Sequence, residues 1–180
     1  MTLDVRALTG SVREVCPAVV GVSIGDPDDR TTWRIDFVDG ATQEERAVAA
    51  ATLNAYDPHA PTAAMVDAER DRRLASFAFG GRRYDFDSDS QTNMAGAGTL
   101  ALAAIISGKQ PGDLRWADPD RDFGWIALDN TLVSMDAQTT MAFAQAAGHW
   151  KSSHIMIGRA LKNATPIPAD FANDAHWPAP

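Results

Sequence analysis

Phe77-Ala78-Phe79-Gly80-Gly81-Arg82-Arg83-Tyr84-Asp85-Phe86-Asp87-Ser88-Asp89-Ser90 is the stretch on which the fold turns. Aromatic residues alternate with small or polar ones on both sides of a glycine pair, which is the period-two pattern of a β-hairpin. Phe77 and Phe79 share one face, as do Tyr84 and Phe86, while Arg83 and Asp85 point the other way. Gly80-Gly81 tolerates the positive φ angles of a tight turn. The hairpin then runs into an acidic, serine-rich helix start. It contains no nucleophile, no metal cluster and no phosphate loop, so it argues for packing or docking before catalysis.

Toward the amino terminus, Leu3, Leu8, Val12 and Val15 fall at helical spacing, and Pro17 ends that helix. Two β-branched segments follow, Val19–Ile24 and Thr32–Val38, with Trp33, Ile35 and Phe37 on one face. The turn-forming run Gly25–Arg30 between them predicts a second hairpin. Thr42-Gln43-Glu44-Glu45 is a capping box, opening a helix to about Tyr56. Another helix begins near Pro61 and carries Asp67-Ala-Glu-Arg-Asp-Arg-Arg73, whose charges balance. Glu69 and Arg73 stand at i,i+4, and the run reads as a solvated face.

Toward the carboxyl terminus, a helix is expected from Ser90 to Ser107, closed by Gly108. Its Ala95-Gly96-Ala97-Gly98 stretch favours close backbone packing or a loose first turn. Trp116 and Trp125 flank Asp118-Pro-Asp-Arg-Asp122, read as a further aromatic hairpin with an acidic loop. From Ser134, an N-cap type of residue, a long helix runs to about Asn163. Phe143, Ala147, Trp150, His154, Ile157 and Leu161 recur along it in steps of four and three, a narrow apolar seam suited to packing along another helix in the same chain or a neighbouring copy. Pro166, Pro168, Pro178 and Pro180 then impose an extended tail, with Phe171 and Trp177 as anchors.

The chain has 180 residues and 45% hydrophobic content, enough for a sizeable core in one domain with a small appendage. A net charge of −8 disfavours general nucleic-acid binding, because phosphates attract basic patches. With one cysteine, Cys16, no intrachain disulfide forms. The amino terminus lacks a signal-peptide pattern and no apolar run is long enough to span a bilayer, so synthesis in the cytoplasm is expected.

Candidate chemistry is sparse. His149 and His154 lie five apart, unlike the i,i+4 pair of a zinc helix, and His154 reads as a core or interface histidine. The acidic loops Asp26–Asp29, Asp85–Asp89 and Asp118–Asp122 carry oxygen ligands for a hard cation, but without a calcium-loop pattern, and aspartates favour turns on their own account. Ser88, Ser90 and Ser134 have no histidine and acid at a recognisable spacing. Val22-Ser-Ile-Gly25 lacks the lysine of a phosphate loop. Trp116 and Trp125 are able to stack on a sugar, though core packing explains them as well.

Phe77-Ala-Phe79-Gly-Gly, Tyr84-Asp-Phe86-Asp87, Trp125 with Asp129-Asn130, and a closing helix with His149, Arg159, Ala160 and Leu161 together resemble an uncharacterised domain of tailed bacteriophages, domain of unknown function 4376. The resemblance spans Leu74 to Ala164. The segment from Gly21 through Trp33–Phe37 to Thr42 is similar to the region ahead of that domain in phage tail-associated proteins. No catalytic, cofactor or metal residues come with the family.

The expected fold is α+β: small antiparallel β-hairpins packed against helices, with a long C-terminal helix and an extended Pro-rich tail. Residues 1–60 are read as a helix–hairpin–helix segment, 61–164 as the phage tail-associated domain and 165–180 as the tail. The resemblance implies a non-enzymatic virion component, a tail-fibre or baseplate connector that is made in the host cytoplasm and oligomerises with itself and other tail proteins. Phe143, Trp150, His154, Ile157, Leu161, Phe171 and Trp177 are the interface candidates. A tail-fibre assembly chaperone is the first alternative. A carbohydrate-binding or hydrolytic module using Asp85, Asp87 or the Asp118–Asp122 loop is the second.

Overall fold

The computed structural model describes residues 5–179. Leu3 of the expected first helix and Pro180 of the tail lie outside them. The chain divides into two compact units, residues 1–60 and 61–180. The class is α+β, with five α-helices and three separate two-stranded antiparallel sheets among the described residues.

In the first unit, α1 (Val5–Val15) leads into β1 (Val19–Ser23), which pairs with β2 (Arg34–Phe37) ahead of α2 (Gln43–Ala55). Leu8, Val12, Cys16, Val19, Val22, Ala49 and Leu53 form its core, and Trp33, Ile35 and Phe37 pack against it from the predicted face. Val15, placed on the apolar stripe by its spacing, is instead 52% exposed. The stripe ends one turn early, where Cys16 takes over the contact. Thr42 and Glu45 form the expected reciprocal cap of α2. The loop between the strands contains a 3-10 turn over Arg30–Thr32, capped by Asp29. Arg30 lies over Trp33 and donates to the Leu53 and Tyr56 carbonyls, closing the other end of α2.

In the second unit, α3 (Ala63–Arg73) precedes β3 (Ser76–Phe79) and β4 (Arg82–Asp85). Phe77 faces Tyr84 in register, and Gly80 and Gly81 have φ of 57° and 75°, as a two-residue turn of this hand requires. Asp87 caps α4 (Ser88–Ile106), which therefore begins two residues before Ser90. Gly108 closes it at φ 92°. Of the two readings of the Ala-Gly run, close packing holds at Gly98, where an added Cβ would stand 2.5 Å from the Ala144 Cβ.

Two local expectations fail between α4 and the last helix. The acidic loop Asp118–Asp122 is not a hairpin turn. The hairpin is β5 (Gly124–Ile126) with β6 (Leu132–Ser134), and it turns at Asp129-Asn130, with Asn130 at φ 64°. Trp116 sits in the preceding loop, not on a strand, and its indole nitrogen donates to the Met135 carbonyl at 3.0 Å. Ser134 belongs to β6, and the N-cap of α5 (Ala137–Asn163) is Asp136, which accepts from the Thr139 amide. A carboxylate two residues on does the same capping with a full charge at the positive end of the helix.

α4 and α5 pack together, and α5 also meets α3 and β3. Phe143, fully buried on α5, is the hub of the aromatic core, with ring centroids 5.5 Å from Phe77, 5.3 Å from Phe79, 4.8 Å from Tyr84 and 5.2 Å from Trp125. The opening hairpin thus packs its aromatic face on its own chain. After α5 the proline-rich segment forms turns and one 3-10 turn, Asp174–His176.

Candidate functional site

The carboxyl-terminal segment is fastened to α3 and α5, and this junction gathers the unusual chemistry of the chain. Phe171 and Trp177 join Val66 of α3 and Leu161 of α5 in a small core. Gly158 makes room for it, since its missing Cβ lies 3.7 Å from both the Trp177 ring and the Arg70 side chain. Trp177 donates its indole proton to the Phe171 carbonyl at 2.7 Å.

The charged run of α3, read as a solvated face, is instead part of this junction. Glu69 and Arg73 are each 11% exposed and pair at 2.6 Å. Arg73 also donates to the Ala172 carbonyl and to Asp174, and it lies over the Trp177 ring. Asp67 accepts from Lys162 of α5 and from Arg70, both at 2.6 Å. Hydrogen bonds from Lys162 and Arg72 hold the Asp67 and Glu69 carboxyls, respectively, below the usual range. The partners lie far away in sequence, which is why helical spacing alone suggested a face in water.

Beside this junction lies a cavity of about 300 Å³. Arg72, Arg73, Arg83, Trp150, His154 and Asp174 line it. His154 is fully buried, and its Nδ1 donates to the Trp150 carbonyl at 2.8 Å. Burial lowers its pKa, and the charge of Arg73 adds to that, against the hydrogen bond that raises it.

A second feature is apolar and faces outward. In the β5–β6 hairpin the pair Trp125 and Val133 packs toward the aromatic core. The next pair, Ile126 and Leu132, is 60% and 64% exposed, and Leu128 in the turn is 52% exposed. Leu132 leans across Gly124, where an added Cβ would meet its Cδ1 at 2.9 Å.

The family model described as domain of unknown function DUF4376 matches residues 57–175. The chain belongs to this family. No curated protein and no solved structure matches it. The DUF4376 segment takes in α3, both hairpins of the second unit, α4, α5 and Phe171, and stops short of Trp177. The cavity residues from Arg72 to Asp174 all fall inside the DUF4376 match.

Within the DUF4376 segment, the residues singled out from sequence are placed as follows. Phe143, His154 and Leu161 are buried and Trp150 and Ile157 half-buried, all along α5. They are not one seam against one helix: Phe143 belongs to the aromatic core, Leu161 to the α3 junction, and His154 lies between the rings of Trp150 and Trp177. Phe171 and Trp177 are anchors within their own chain. Trp116 is buried against Phe123 and Trp125 packs on Phe143, so neither ring is laid open to a sugar. The acidic loops are tied into local structure. Asp87 caps α4, Asp29 caps a 3-10 turn in the first unit, and Asp118 pairs with Arg121 and Asp122 with Arg115. No group of three or more His, Cys, Asp or Glu able to hold a metal ion occurs among the described residues. No helix among them is long and apolar enough to cross a membrane. Sequence reasoning missed the cavity and the outer face of β5–β6. Asp129-Asn130, a favoured turn pair, was the signal for that hairpin.

Proposed function

We propose that this chain is a non-enzymatic structural protein of a bacteriophage virion, tail-associated as a tail-fibre or baseplate connector, which acts by protein–protein assembly. The phage assignment is supported by the resemblance carried by Phe77–Phe86, Trp125 with Asp129-Asn130, and the α5 residues. The observation that carries the assembly reading is the outer face of β5–β6. Ile126, Leu128 and Leu132 form an exposed apolar patch on a short two-stranded hairpin whose other face is already committed to the core. Such a patch costs solubility unless something covers it, and in a repeated assembly the natural cover is a further copy of the chain or a neighbouring tail protein. In this reading the chain is made in the host cytoplasm and ends in the virion tail.

Mass spectrometry of purified particles tests the virion assignment, and light scattering of the isolated chain tests self-association. The chain is expected in the particles at a stoichiometry fixed by tail symmetry. Ile126→Lys with Leu132→Lys is expected to leave the circular dichroism spectrum unchanged and abolish incorporation. A chain abundant in infected cells but absent from particles supports the assembly-chaperone reading instead. Incorporation unaffected by the double substitution removes the outer face from the argument.

A further inference from the structure

The cavity beside His154 combines two unpartnered buried polar atoms with one cation that has no acidic partner. A volume of about 300 Å³ falls at the lower end of small-ligand sites. Because a carbonyl only accepts, the Nδ1 bonded to the Trp150 carbonyl carries the proton of the neutral ring. Nε2 is then left as an acceptor. That Nε2 is buried and has no hydrogen-bond partner among the described residues, and the same is true of Trp150 Nε1, a donor. The two ring centroids are 4.2 Å apart. The wall therefore offers an acceptor and a donor side by side, each costly to leave unmet. A hydroxyl group satisfies both, accepting from the indole N–H and donating to the imidazole lone pair.

The charges specify the rest of the ligand. Arg72 makes two bonds to Glu69, and Arg73 is held by Glu69 and Asp174. Arg83 donates to the Ser76 hydroxyl and makes no ion pair among the described residues. Its guanidinium keeps donors in a planar fork that matches a carboxylate. Asp174 on the same cavity disfavours a dianion such as phosphate. We propose that this cavity binds a carboxylate borne beside a hydroxyl, as in a hydroxy acid or a uronic acid, with the hydroxyl on His154 and Trp150 and the carboxylate on Arg83.

The test is a titration of the whole chain followed by the indole N–H signals of its five tryptophans, that of Trp150 assigned with Trp150→Phe. Lactate and D-glucuronate are the probes, and acetate and glucose the matched compounds lacking the hydroxyl or the charge. A saturable shift of the Trp150 signal is expected with at least one of the two acids, about tenfold tighter than with acetate or glucose. Saturation by lactate assigns a free hydroxy acid, and saturation by glucuronate alone assigns a sugar acid. Arg83→Ala, at an exposed position, is expected to weaken binding about tenfold while leaving the remaining signals in place. No saturable shift with either acid, an equal response to acetate, or indifference to Arg83→Ala overturns the proposal.

Discussion

Arg73 of α3 and Asp174 of the carboxyl-terminal segment, 101 positions apart in sequence, are joined by an ion pair of 2.7 Å. The two partners are unequal: Arg73 is 11% exposed and Asp174 is 93% exposed. Replacing Asp174 by alanine removes a solvated charge and is expected to change stability by less than about 0.5 kcal/mol. Arg73→Met strips the half-buried Glu69 and the Ala172 carbonyl of a donor together, and is expected to cost about 1–3 kcal/mol. Urea unfolding of the two variants checks the contrast. Limited proteolysis after Ala164 should quicken for Arg73→Met alone.

Phe143 should be the most sensitive apolar position of the second unit. It is fully buried and touches aromatic rings from β3, β4 and β5. Phe143→Ala leaves a cavity that three elements would have to close together, with an expected loss of about 3–5 kcal/mol. Phe143→Leu keeps much of the volume and should lose less than half of that. Thermal unfolding of both orders them.

Gly98 and Ala144 test the α4–α5 contact as a pair. Alanine in a helix is worth about 1 kcal/mol over glycine, but a Cβ at Gly98 would stand 2.5 Å from that of Ala144. Both are anchored to helix backbone and cannot swing aside, so overpacking of about 1–3 kcal/mol should win. Gly98→Ala is expected to be destabilising, and Ala144→Gly in the same chain should restore most of the loss. A double-mutant cycle measures the coupling.

The buried His154 sets a pH dependence. Its folded pKa is lowered, so below about pH 6.5, the ordinary imidazole value, the unfolded chain takes up a proton that the folded ring resists. The unfolded state then binds more protons, and stability falls with pH until the folded pKa is passed, where it levels off. Asp67 and Glu69, also lowered, add a separate loss at more acid pH, as pH falls below the ordinary carboxyl range and through their folded values. Urea midpoints between pH 5 and 7.5 should fall toward acid in the native chain. The slope, whatever the absolute stability, should flatten over that range in His154→Gln.

Much of the fold was legible because its signals are local. Gly80-Gly81 between aromatic alternations, the Thr42–Glu45 box and Gly108 each act within a few residues, and each sits where its chemistry requires. What escaped was set at long range. Glu69 and Arg73 look like a surface pair until Asp174 and Ala172 arrive from the far end of the chain. The β5–β6 turn was misplaced because the acidic Asp118–Asp122 run is the richer turn signal, while the strands themselves are only three residues long. The cavity had no signature at all, since Arg83, Trp150, His154 and Asp174 lie on four different elements.

The β5–β6 hairpin has a consequence for how this chain tolerates change. Trp125 and Val133 look inward, while Ile126 and Leu132, their immediate neighbours, look outward. Two duties are therefore interleaved residue by residue in the same ribbon. Substitutions at one parity alter what the molecule meets, and those at the other alter whether it holds together. The outer surface is free to diverge under selection while the inner one stands still.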